Sequence, residues 1–276
     1  MRIVEYDPSR RGALADLMGR VWGTRADEQE LSWFYERNPV RPASVLLAEV
    51  DGRVVATAGL AFLRMSIGGE DLEVGMPLRV ATDIDQRGKG IFGKLAAENE
   101  ERARALGIRL LLTVPNAASA PVFLTRLGWS ELHPVRVWAR PRVLPRRGGG
   151  AKLFVEPHEP RRDEDRVLRD RNWLNWRFAE APTPYSLIEG NGYAVAGRKG
   201  RMGVVAAVEG PHVRSAAAFA GGPVVIAAPP PSARATYLRA GFMPTPKTLT
   251  VLGKSLDPMQ PVPEHPHFEL GDLDFL

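Results

Sequence analysis

The segment Ala81–Phe92 reads ATDIDQRGKGIF and places a glycine-rich turn between two patterned stretches. Residues 74–82 carry the β-branched and apolar residues of a buried strand, and residues 91–106 carry apolar residues at helical spacing. Gly107 then follows as a helix-ending glycine. Such a turn presents unpaired backbone N–H groups to an anion at the positive end of a helix dipole. The segment therefore predicts a phosphate-binding loop inside a β-turn-α-β unit.

The glycines of this loop carry more weight than its cations. Gly88 and Gly90 lack side chains that would keep a pyrophosphate away from the main chain. Arg87, Lys89 or Lys94 could supply a nearby positive charge, although a single exposed cation is usually just solvated surface. By itself, the RGKG tetrapeptide also fits an ordinary exposed turn, so its context decides the interpretation.

The run Val80–Trp129 resembles the GNAT (GCN5-related) superfamily of acyl-CoA-dependent N-acetyltransferases. The family pattern is a strand, an R-G-x-G-type loop with its helix, a strand ending near an Asn, and a short helix closing in LGF or LGW. Here the second strand covers residues 108–114, the Asn is Asn116, and the closing motif is Leu127-Gly128-Trp129. The resemblance implies the family's mixed α/β fold and an acyl-CoA, most simply acetyl-CoA, as co-substrate.

The resemblance also implies roles for individual residues. The main chain of Val80 and Thr82 would contact the pantetheine arm, and the loop would wrap the pyrophosphate. Asn116 and Ser119 would lie beside the CoA where the two central strands splay apart. The implied CoA-binding residues are Val80, Thr82, Arg87, Gly88, Lys89, Gly90, Ile91, Phe92, Asn116 and Ser119.

One residue departs from the family pattern. Many members place a Tyr four residues before the Gly of the closing motif, where it can protonate the departing thiolate. This chain has Leu124 there, and a leucine side chain has no proton to donate. Another group or water must serve as the acid, or the reaction needs none.

Length and composition bound the class of protein. With 276 residues, 44% hydrophobic and 25% charged, the chain is globular and long enough for two domains. It has no cysteine, which excludes disulfides and thiolate catalysis, and its five histidines lack metal-ligand spacing, so no metal is expected. We find neither a membrane-spanning apolar run nor a signal peptide, and therefore expect a cytoplasmic protein that does not bind membranes.

We expect an α/β fold, of the mixed α+β kind, in two tandem domains. Residues 141–152 lack periodicity and are rich in proline and glycine, which indicates a linker. The net charge is +5 and the basic residues are distributed along the chain, but one group of arginines is concentrated near this linker, and we interpret these arginines as solvated linker rather than a nucleic-acid surface. They are Arg136, Arg140, Arg142, Arg146 and Arg147. The predicted parts are a catalytic acyl-CoA-binding domain at 1–142, a basic linker at 143–155 and a C-terminal domain at 156–276.

The second half repeats features of the first. The Leu-x-Trp-x-aromatic pattern with a proline occurs at 31–39 and again at 174–182, and Leu127-Gly128-Trp129 is echoed by Ala240-Gly241-Phe242. We therefore expect two GNAT-like copies, each a central, largely antiparallel mixed sheet flanked by helices. Residues 211–222 show no phosphate loop, so the second copy is degenerate and should bind no CoA. Tyr237, at the family's Tyr position in this copy, is expected to pack in its core.

Turn signals precede the loop. Asp51-Gly52 joins the strand-like stretches 44–50 and 53–63, and this dipeptide tolerates the positive φ angles of a tight hairpin turn. A second turn is expected at 68–71. Together these turns predict an antiparallel meander that leads into the CoA-binding strand.

Direct attack of an amine on a thioester needs the amine in its neutral form, and hence a base, together with N–H donors for the oxyanion. We nominate Glu73 as the catalytic base because it lies early on the strand that leads to the loop. Asp83 and Glu36 are alternatives, and a charged residue beside a hairpin turn fits Glu73 equally well. A one-residue shift of register would aim Glu73 away from the cleft.

The expected acceptor is the primary amine of a small molecule. Trp33, Phe34 and Tyr35 on a helix could enclose it, although the same triplet fits core packing. The tail at 268–276 could dock, and Asp272, Asp274 or the terminal carboxylate could then contact an amine; a frayed terminus is the simpler expectation.

A different class of function fits the same sequence. Leu124 and the degenerate second copy are also what a catalytically inactive acyl-CoA-binding or structural module would show. The sequence alone leaves both functions open.

Overall fold

The computed structural model of the chain describes residues 1–144, 152–156 and 159–273. It divides into two compact units, and neither is one continuous stretch of chain. The first unit comprises residues 1–65, 71–132 and 251–264, and the second comprises 66–70, 133–250 and 265–276. Within the described ranges, no helix is long and apolar enough to cross a bilayer.

The first unit is a mixed sheet with helices. Its strands are β1 (Arg2–Glu5), β2 (Ser44–Val50), β3 (Arg53–Ile67), β4 (Glu70–Thr82) and β5 (Leu110–Thr113). Its helices are α1 (Arg11–Trp22), α2 (Glu28–Glu36), α3 (Ile91–Ala105) and α4 (Ala120–Arg126). The β1–β2 and β2–β3 pairs are antiparallel, whereas β4 and β5 run parallel. The predicted meander is confirmed, because φ is positive at Asp51, Gly52, Gly68 and Gly69, as tight hairpin turns require.

Apolar residues of α3 and α4 pack against β3 and β5 to form the core of this unit. Leu95 of α3 and Phe123 of α4 are buried, together with Leu60 of β3 and Leu111 of β5. Asn99 interrupts the apolar stripe of α3 without a penalty, because its Nδ2 donates to the Ala58 carbonyl at 2.9 Å. The stripe read from the sequence is therefore the face that α3 buries.

Two long strands pass from one unit to the other. They are β6 (Ser130–Val143), which leaves the first unit after Leu132, and β12 (Met243–Ser255), which enters it at Val251. In the first unit, residues 252–255 of β12 pair antiparallel with β5. A segment more than 100 positions further along the chain therefore completes the first unit's sheet.

The second unit repeats the same plan. In chain order, its further elements are β7 (Arg166–Val167), α5 (Arg171–Leu174), β8 (Ser186–Glu189), β9 (Tyr193–Lys199), β10 (Met202–Glu209), α6 (Val213–Ala220), β11 (Gly222–Ala227) and α7 (Arg234–Arg239). A π-helical turn, Asn175–Ala179, follows α5. β10 and β11 are parallel and are joined through α6, as β4 and β5 are joined through α3, whereas the β9–β10, β6–β11 and β8–β9 pairs are antiparallel. The predicted fold class, a mixed and largely antiparallel sheet flanked by helices, is confirmed.

Matching helix caps support the internal repeat. Asp27 accepts from the Gln29 N–H at 2.8 Å at the start of α2, and Asp170 accepts from the Trp173 N–H at 2.9 Å at the start of α5. Each cap precedes by six residues the tryptophan of the repeated pattern, Trp33 or Trp176, and both tryptophans are buried. The pattern recurs because both copies begin and bury this helix in the same way.

The interpretation of residues 141–143 as linker was wrong. β6 continues to Val143, and Pro141 pairs with Val224 in the register of β6 and β11. The alternating Val135 and Val137 with Trp138 extend the strand, and the prolines after them hid it. Of the basic cluster, Arg136, Arg140 and Arg142 thus belong to a strand, while Arg146 and Arg147 lie outside the described residues.

The compact units divide the chain differently from the predicted segments 1–142, 143–155 and 156–276. The reason is that β6 and β12 pass from one unit to the other, and no change in amino-acid composition marks these positions. As a division of function between a catalytic and a C-terminal domain, the segments remain a prediction.

The C-terminal tail docks in the second unit through buried charges. Phe268 and Leu270 are fully buried, and Arg169 forms ion pairs with both Glu269 and Asp272. Burial raises the pKa of Glu269. The expectation of a frayed terminus is therefore wrong up to residue 273. Asp272 is paired with Arg169 and is not available to contact an amine. Asp274 and the terminal carboxylate lie outside the described residues.

An ion pair of the first unit joins β12 to α3. Lys254 Nζ lies 2.6 Å from a Glu100 carboxylate oxygen and donates to the Leu127 carbonyl at 2.6 Å, while the Trp129 indole N–H also reaches Glu100, at 3.3 Å. The carboxylate is almost completely shielded from water, so its charge depends on these donors.

We expect Lys254→Met to lower the free energy of unfolding by about 3 kcal/mol, because it leaves the buried Glu100 carboxylate without its cation. Denaturant titration of the full chain measures this. Arg104→Met, which removes the exposed pair with Glu101, is the matched control and should change little. The double variant Glu100→Leu/Lys254→Met should recover much of the loss. A Lys254→Met protein as stable as the parent would contradict a stabilising role for the pair.

Candidate functional site

The parallel strands β4 and β5 pair only briefly before they separate. Val74 pairs with Leu110 and Gly75 pairs with Leu111. Gly75 leaves room there for Leu111, because a Cβ would lie 2.6 Å from a methyl carbon of Leu111 and that side chain would have to shift. Two residues further on, Pro77 has no N–H to give to a ladder, and the Thr113 hydroxyl donates to its carbonyl at 2.9 Å instead. The predicted splay of the two central strands follows from this proline.

Beyond Pro77, the backbone of β4 bends at Arg79, whose φ is +50°. This conformation is uncommon for a residue with a side chain, so the surroundings must hold it. The Arg79 guanidinium lies over the Phe34 ring at 4.6 Å and forms an ion pair with Glu30. α2 thus fixes the bend through Phe34 and Glu30.

The loop after β4 begins at a buried carboxylate. Asp83 is bound by Arg20, with contacts of 3.1 and 3.2 Å, and by Arg53 at 3.0 Å, while its own N–H donates to the Val55 carbonyl at 2.8 Å. A 3-10 turn, Ile84–Gln86, follows. Asp83 therefore anchors the loop and is not free to act as a base.

The loop ends in two glycines at the start of α3. Gly88 and Gly90 have φ of +76° and +72°, and no described atom lies within 4 Å of a Cβ built on either. No side chain of the described residues caps α3, so its first N–H groups, beginning at Ile91, point out of the helix end without a side-chain acceptor. This is the arrangement that binds an anion.

The cations of the loop take local partners. Arg87 Nε donates to the Thr82 carbonyl at 3.2 Å, and Lys89 Nζ donates to the Gln86 side chain at 2.9 Å. Both residues are exposed, so either side chain can turn toward an anion without uncovering the core. Ile91 is buried in the core, so only its main chain can face a ligand.

The remaining predicted CoA residues lie on the strands and at the start of α4. Val80 and Thr82 are half-buried on β4 two positions apart, hence on the same face. Asn116 closes its own turn after β5, with its Oδ1 accepting from the N–H groups of Ala118 and Ser119 at 3.0 and 2.9 Å. The roles assigned to these residues in CoA binding stay predictions.

An apolar crevice adjoins the bend of β4. Val80, Pro77 and Phe92 line it, and Phe123 and Trp129 close its far side with ring centroids 4.9 Å apart. Leu124 packs against the same cluster, so the position of the family's Tyr is apolar here in its surroundings as well as in its side chain. Within the described residues, no hydroxyl replaces it in the crevice lining.

The other proposed base residues are held by arginines that the sequence reading did not pair with them. Glu73 is gripped at both oxygens by Arg41, at 2.6 and 3.0 Å. Glu36 accepts from Arg11 at 2.7 Å and from the Tyr6 hydroxyl at 2.7 Å. Burial raises the pKa of Glu36, but these hydrogen bonds outweigh it and the net pKa is lowered. Sequence spacing indicates an ion pair only between neighbouring residues of one helix. Arg11 and Arg41 are distant in sequence from the carboxylates they bind, so these pairs could not be predicted.

The aromatic triplet is core rather than pocket wall. Trp33, Phe34 and Tyr35 are all at most 5% exposed. The core-packing alternative is therefore correct, and these side chains do not enclose an acceptor.

The second unit has no room where the first has its loop. A Cβ on Gly210, just after β10, would lie 2.4 Å from the Asn191 carbonyl oxygen, and one on Gly192 would lie 2.3 Å from the Glu209 carbonyl oxygen. The main chain itself fills the space, and the His212 ring bonds to the Gly190 carbonyl beside it. Tyr237 is 1% exposed and packs on Phe242, which confirms its predicted place in the core.

Comparison with known families and structures agrees with this geometry. The sequence profile described as "Acetyltransferase (GNAT) domain" matches residues 5–132. A comparison with curated protein sequences gave no match.

Solved structures share the fold at low identity. A GCN5-related N-acetyltransferase from Kribbella flavida is 15% identical with a TM-score of 0.66, covering 93% of this chain and 72% of its own. One from Anabaena variabilis is 13% identical, with a TM-score of 0.63 and coverage of 93% and 73%. Eis1 from Mycobacterium abscessus is 14% identical, with a TM-score of 0.60 and coverage of 93% and 74%. The chain thus shares its fold with these acetyltransferases over nearly its whole length, and its residues 5–132 match the GNAT acetyltransferase domain.

Proposed function

We propose that the protein is an acyl-CoA-dependent N-acyltransferase that transfers an acyl group, most simply acetyl from acetyl-CoA, to the primary amine of a small-molecule acceptor. The observation that carries this proposal is the uncapped start of α3 behind Gly88 and Gly90, at the end of a strand that has parted from its neighbour. The match of residues 5–132 to the GNAT acetyltransferase domain supports acetyl transfer in general. The acceptor class is our inference.

In this proposal the loop holds the pyrophosphate of the CoA. N–H groups from Gly88 to Phe92 would donate to the phosphate oxygens, and Arg87 or Lys89 would add charge-assisted contacts. The main chain of Val80 and Thr82 would pair with the pantetheine amides. Asn116 and Ser119 would flank the arm on the side of β5.

The chemistry is a direct displacement. The amine nitrogen forms a bond to the thioester carbon, the carbon–sulfur bond breaks, and the thiolate receives a proton. Main-chain N–H groups of β4 freed by the splay are suited to stabilise the oxyanion that develops between these steps. Leu124 cannot provide the proton that the thiolate receives. We assign water, or the attacking amine as it loses a proton, as the source.

We retain Glu73 as the proposed base. Its carboxylate is half-buried and lies on β4, but it must leave Arg41 or share it before it can accept a proton. Because Arg41 holds this carboxylate, replacing Glu73 tests directly whether it acts as the base.

A second candidate is a catalytically inactive acyl-CoA-binding module. It is favoured by the apolar surroundings of Leu124 and by the pairing of Glu73 with Arg41. Calorimetry with acetyl-CoA combined with a thiol-release assay over an amine library separates the two. Tight binding without turnover on any amine identifies the inactive module, and thiol release that depends on an amine identifies the enzyme.

We expect Gly90→Ala to weaken acetyl-CoA binding about tenfold or more, because a left-handed alanine is disfavoured and its methyl group projects where the pyrophosphate would lie. Gly52→Ala is the matched control, since Gly52 has a φ of +77° and equally open surroundings but lies in the β2–β3 turn. Both variants should lose similar stability, and only Gly90→Ala should lose affinity in calorimetry. Equal affinity in the two variants would place the cofactor elsewhere.

We expect Glu73→Gln to lower kcat about 100-fold with the KM for acetyl-CoA unchanged, because it removes the base but not the cofactor site. Asp71→Asn, which alters an exposed carboxylate on the same strand paired with Arg64 at 3.1 Å, is the control and should keep full activity. Steady-state kinetics across pH should also show loss of the acidic limb in Glu73→Gln. Unchanged kcat would rule out Glu73 and leave the proposed function standing.

A further inference from the structure

The second unit contains an open cavity that no part of the proposed acyl transfer uses. Its walls come from the N-terminal half of β6, the proline-rich segment after β11, the start of α7 and the C-terminal tail. Its volume is about 220 Å³, which is room for a small organic molecule. Trp138 of β6 and the prolines Pro229 and Pro231 give it an apolar side.

The polar lining of this cavity is entirely basic among the described residues. Arg136 of β6 and Arg234 of α7 face it from two different elements, and no carboxylate lines it. His133 of β6 and His265 of the tail also line it, with their rings in edge-to-face contact at 4.9 Å. Three separate segments therefore bring basic side chains to one concave surface.

In the part of the chain that the structure describes, neither Arg136 nor Arg234 has an ion pair, in contrast to two other arginines of the unit. In the same unit, Arg169 is fully committed to Glu269 and Asp272, and Arg161 is paired with Asp163. Within the described ranges, no carboxylate lies in salt-bridge distance of Arg136 or Arg234. Arginine is suited to bind phosphate and carboxylate groups because its planar guanidinium donates two parallel hydrogen bonds.

The wall of the cavity carries a positive field. His267 lies there, buried, and its Nε2 is 3.2 Å from the Ala228 carbonyl oxygen. Burial and, to a smaller extent, the charges of Arg169, Arg166 and Arg234 lower the pKa of His267 to about 3. His267 is thus a neutral, hydrogen-bonded part of the wall, and the surrounding charge favours an anion.

The place in the fold is also one at which ligands bind. The cavity lies at the carboxyl end of β11, which is the second unit's counterpart of β5. Ligands of open α/β sheets bind outside the carboxyl ends of strands. The loop side of this copy is closed by main chain, so a ligand here would not be a second CoA held in the manner of the first unit.

We propose that this cavity binds a small organic anion whose phosphate or carboxylate group is held by Arg136 and Arg234, with an apolar body against Trp138 and the prolines. The site is separate from the acyl-CoA site of the first unit. The proposal of this anion site does not depend on whether the chain catalyses acyl transfer.

The test follows the Cε1 proton resonances of His133 and His265 in the full chain by NMR. The probes are inorganic phosphate, phenyl phosphate and benzoate, titrated at constant ionic strength. His133→Gln and His265→Gln assign the resonances. We expect saturable shifts of both resonances, with the aryl compounds binding more tightly than inorganic phosphate; whichever of phenyl phosphate and benzoate binds more tightly identifies the anionic group.

Charge variants separate a site from general attraction. Arg136→Gln/Arg234→Gln should raise the Kd of the tighter aryl probe at least tenfold, and each single variant should raise it by less. Arg201→Gln, an exposed arginine of the same unit outside the cavity lining, is the control and should leave the Kd unchanged. Circular dichroism confirms folding, and the single variants serve if the double variant unfolds. Shifts that never saturate, or an equal effect of Arg201→Gln, would overturn the proposal, and neither result would bear on the acyl-CoA site.

Discussion

The site depends on an interrupted hydrogen-bond ladder. β4 and β5 pair at Val74 and Gly75, and the pairing stops where Pro77 has no N–H to donate. The bend at Arg79 then carries the strand away, and the cation–π contact with Phe34 and the ion pair with Glu30 hold a backbone that would otherwise relax. Without this separation, the two strands would satisfy each other and no polar groups would be left for a ligand. The proposed function therefore depends on backbone groups of β4 and β5 that do not hydrogen-bond to each other.

The loop adds a second set of unused donors. Asp83, fixed by Arg20 and Arg53, sets where the chain leaves β4, and the two left-handed glycines turn it into α3 without placing a side chain in front of the helix end. The second unit shows the alternative outcome for the same plan. Its β10, α6 and β11 reproduce the parallel unit, but the Gly190–Gly192 turn occupies the space, so the helix end is closed by main chain.

Local patterns predicted what depends on local chemistry. The glycine loop, the hairpin turns, the apolar stripe of α3 and the place of Tyr237 all follow from spacing and from residues with restricted backbone preferences. The arginine partners of Glu73, Glu36 and Asp83 could not be read in this way, because each pair joins segments that only the tertiary fold brings together. The extent of β6 was missed because its prolines resemble a linker, and the aromatic triplet was ambiguous because buried and pocket-lining faces share one periodicity. Pro77 stands in the sequence, and its missing N–H could have been used to predict where the pairing of β4 with β5 ends.

The exchange of β6 and β12 between the units has a consequence for biosynthesis. A ribosome that has made the whole glycine loop and the crevice around it has not yet made residues 252–255, which lie beside β5 in the finished sheet. At about 5–20 residues per second, the nascent first unit waits several seconds with one edge of its sheet uncovered. Residues up to 255 must therefore be synthesised before the sheet of the first unit is complete, and no single cut of the chain separates the residues of the two units.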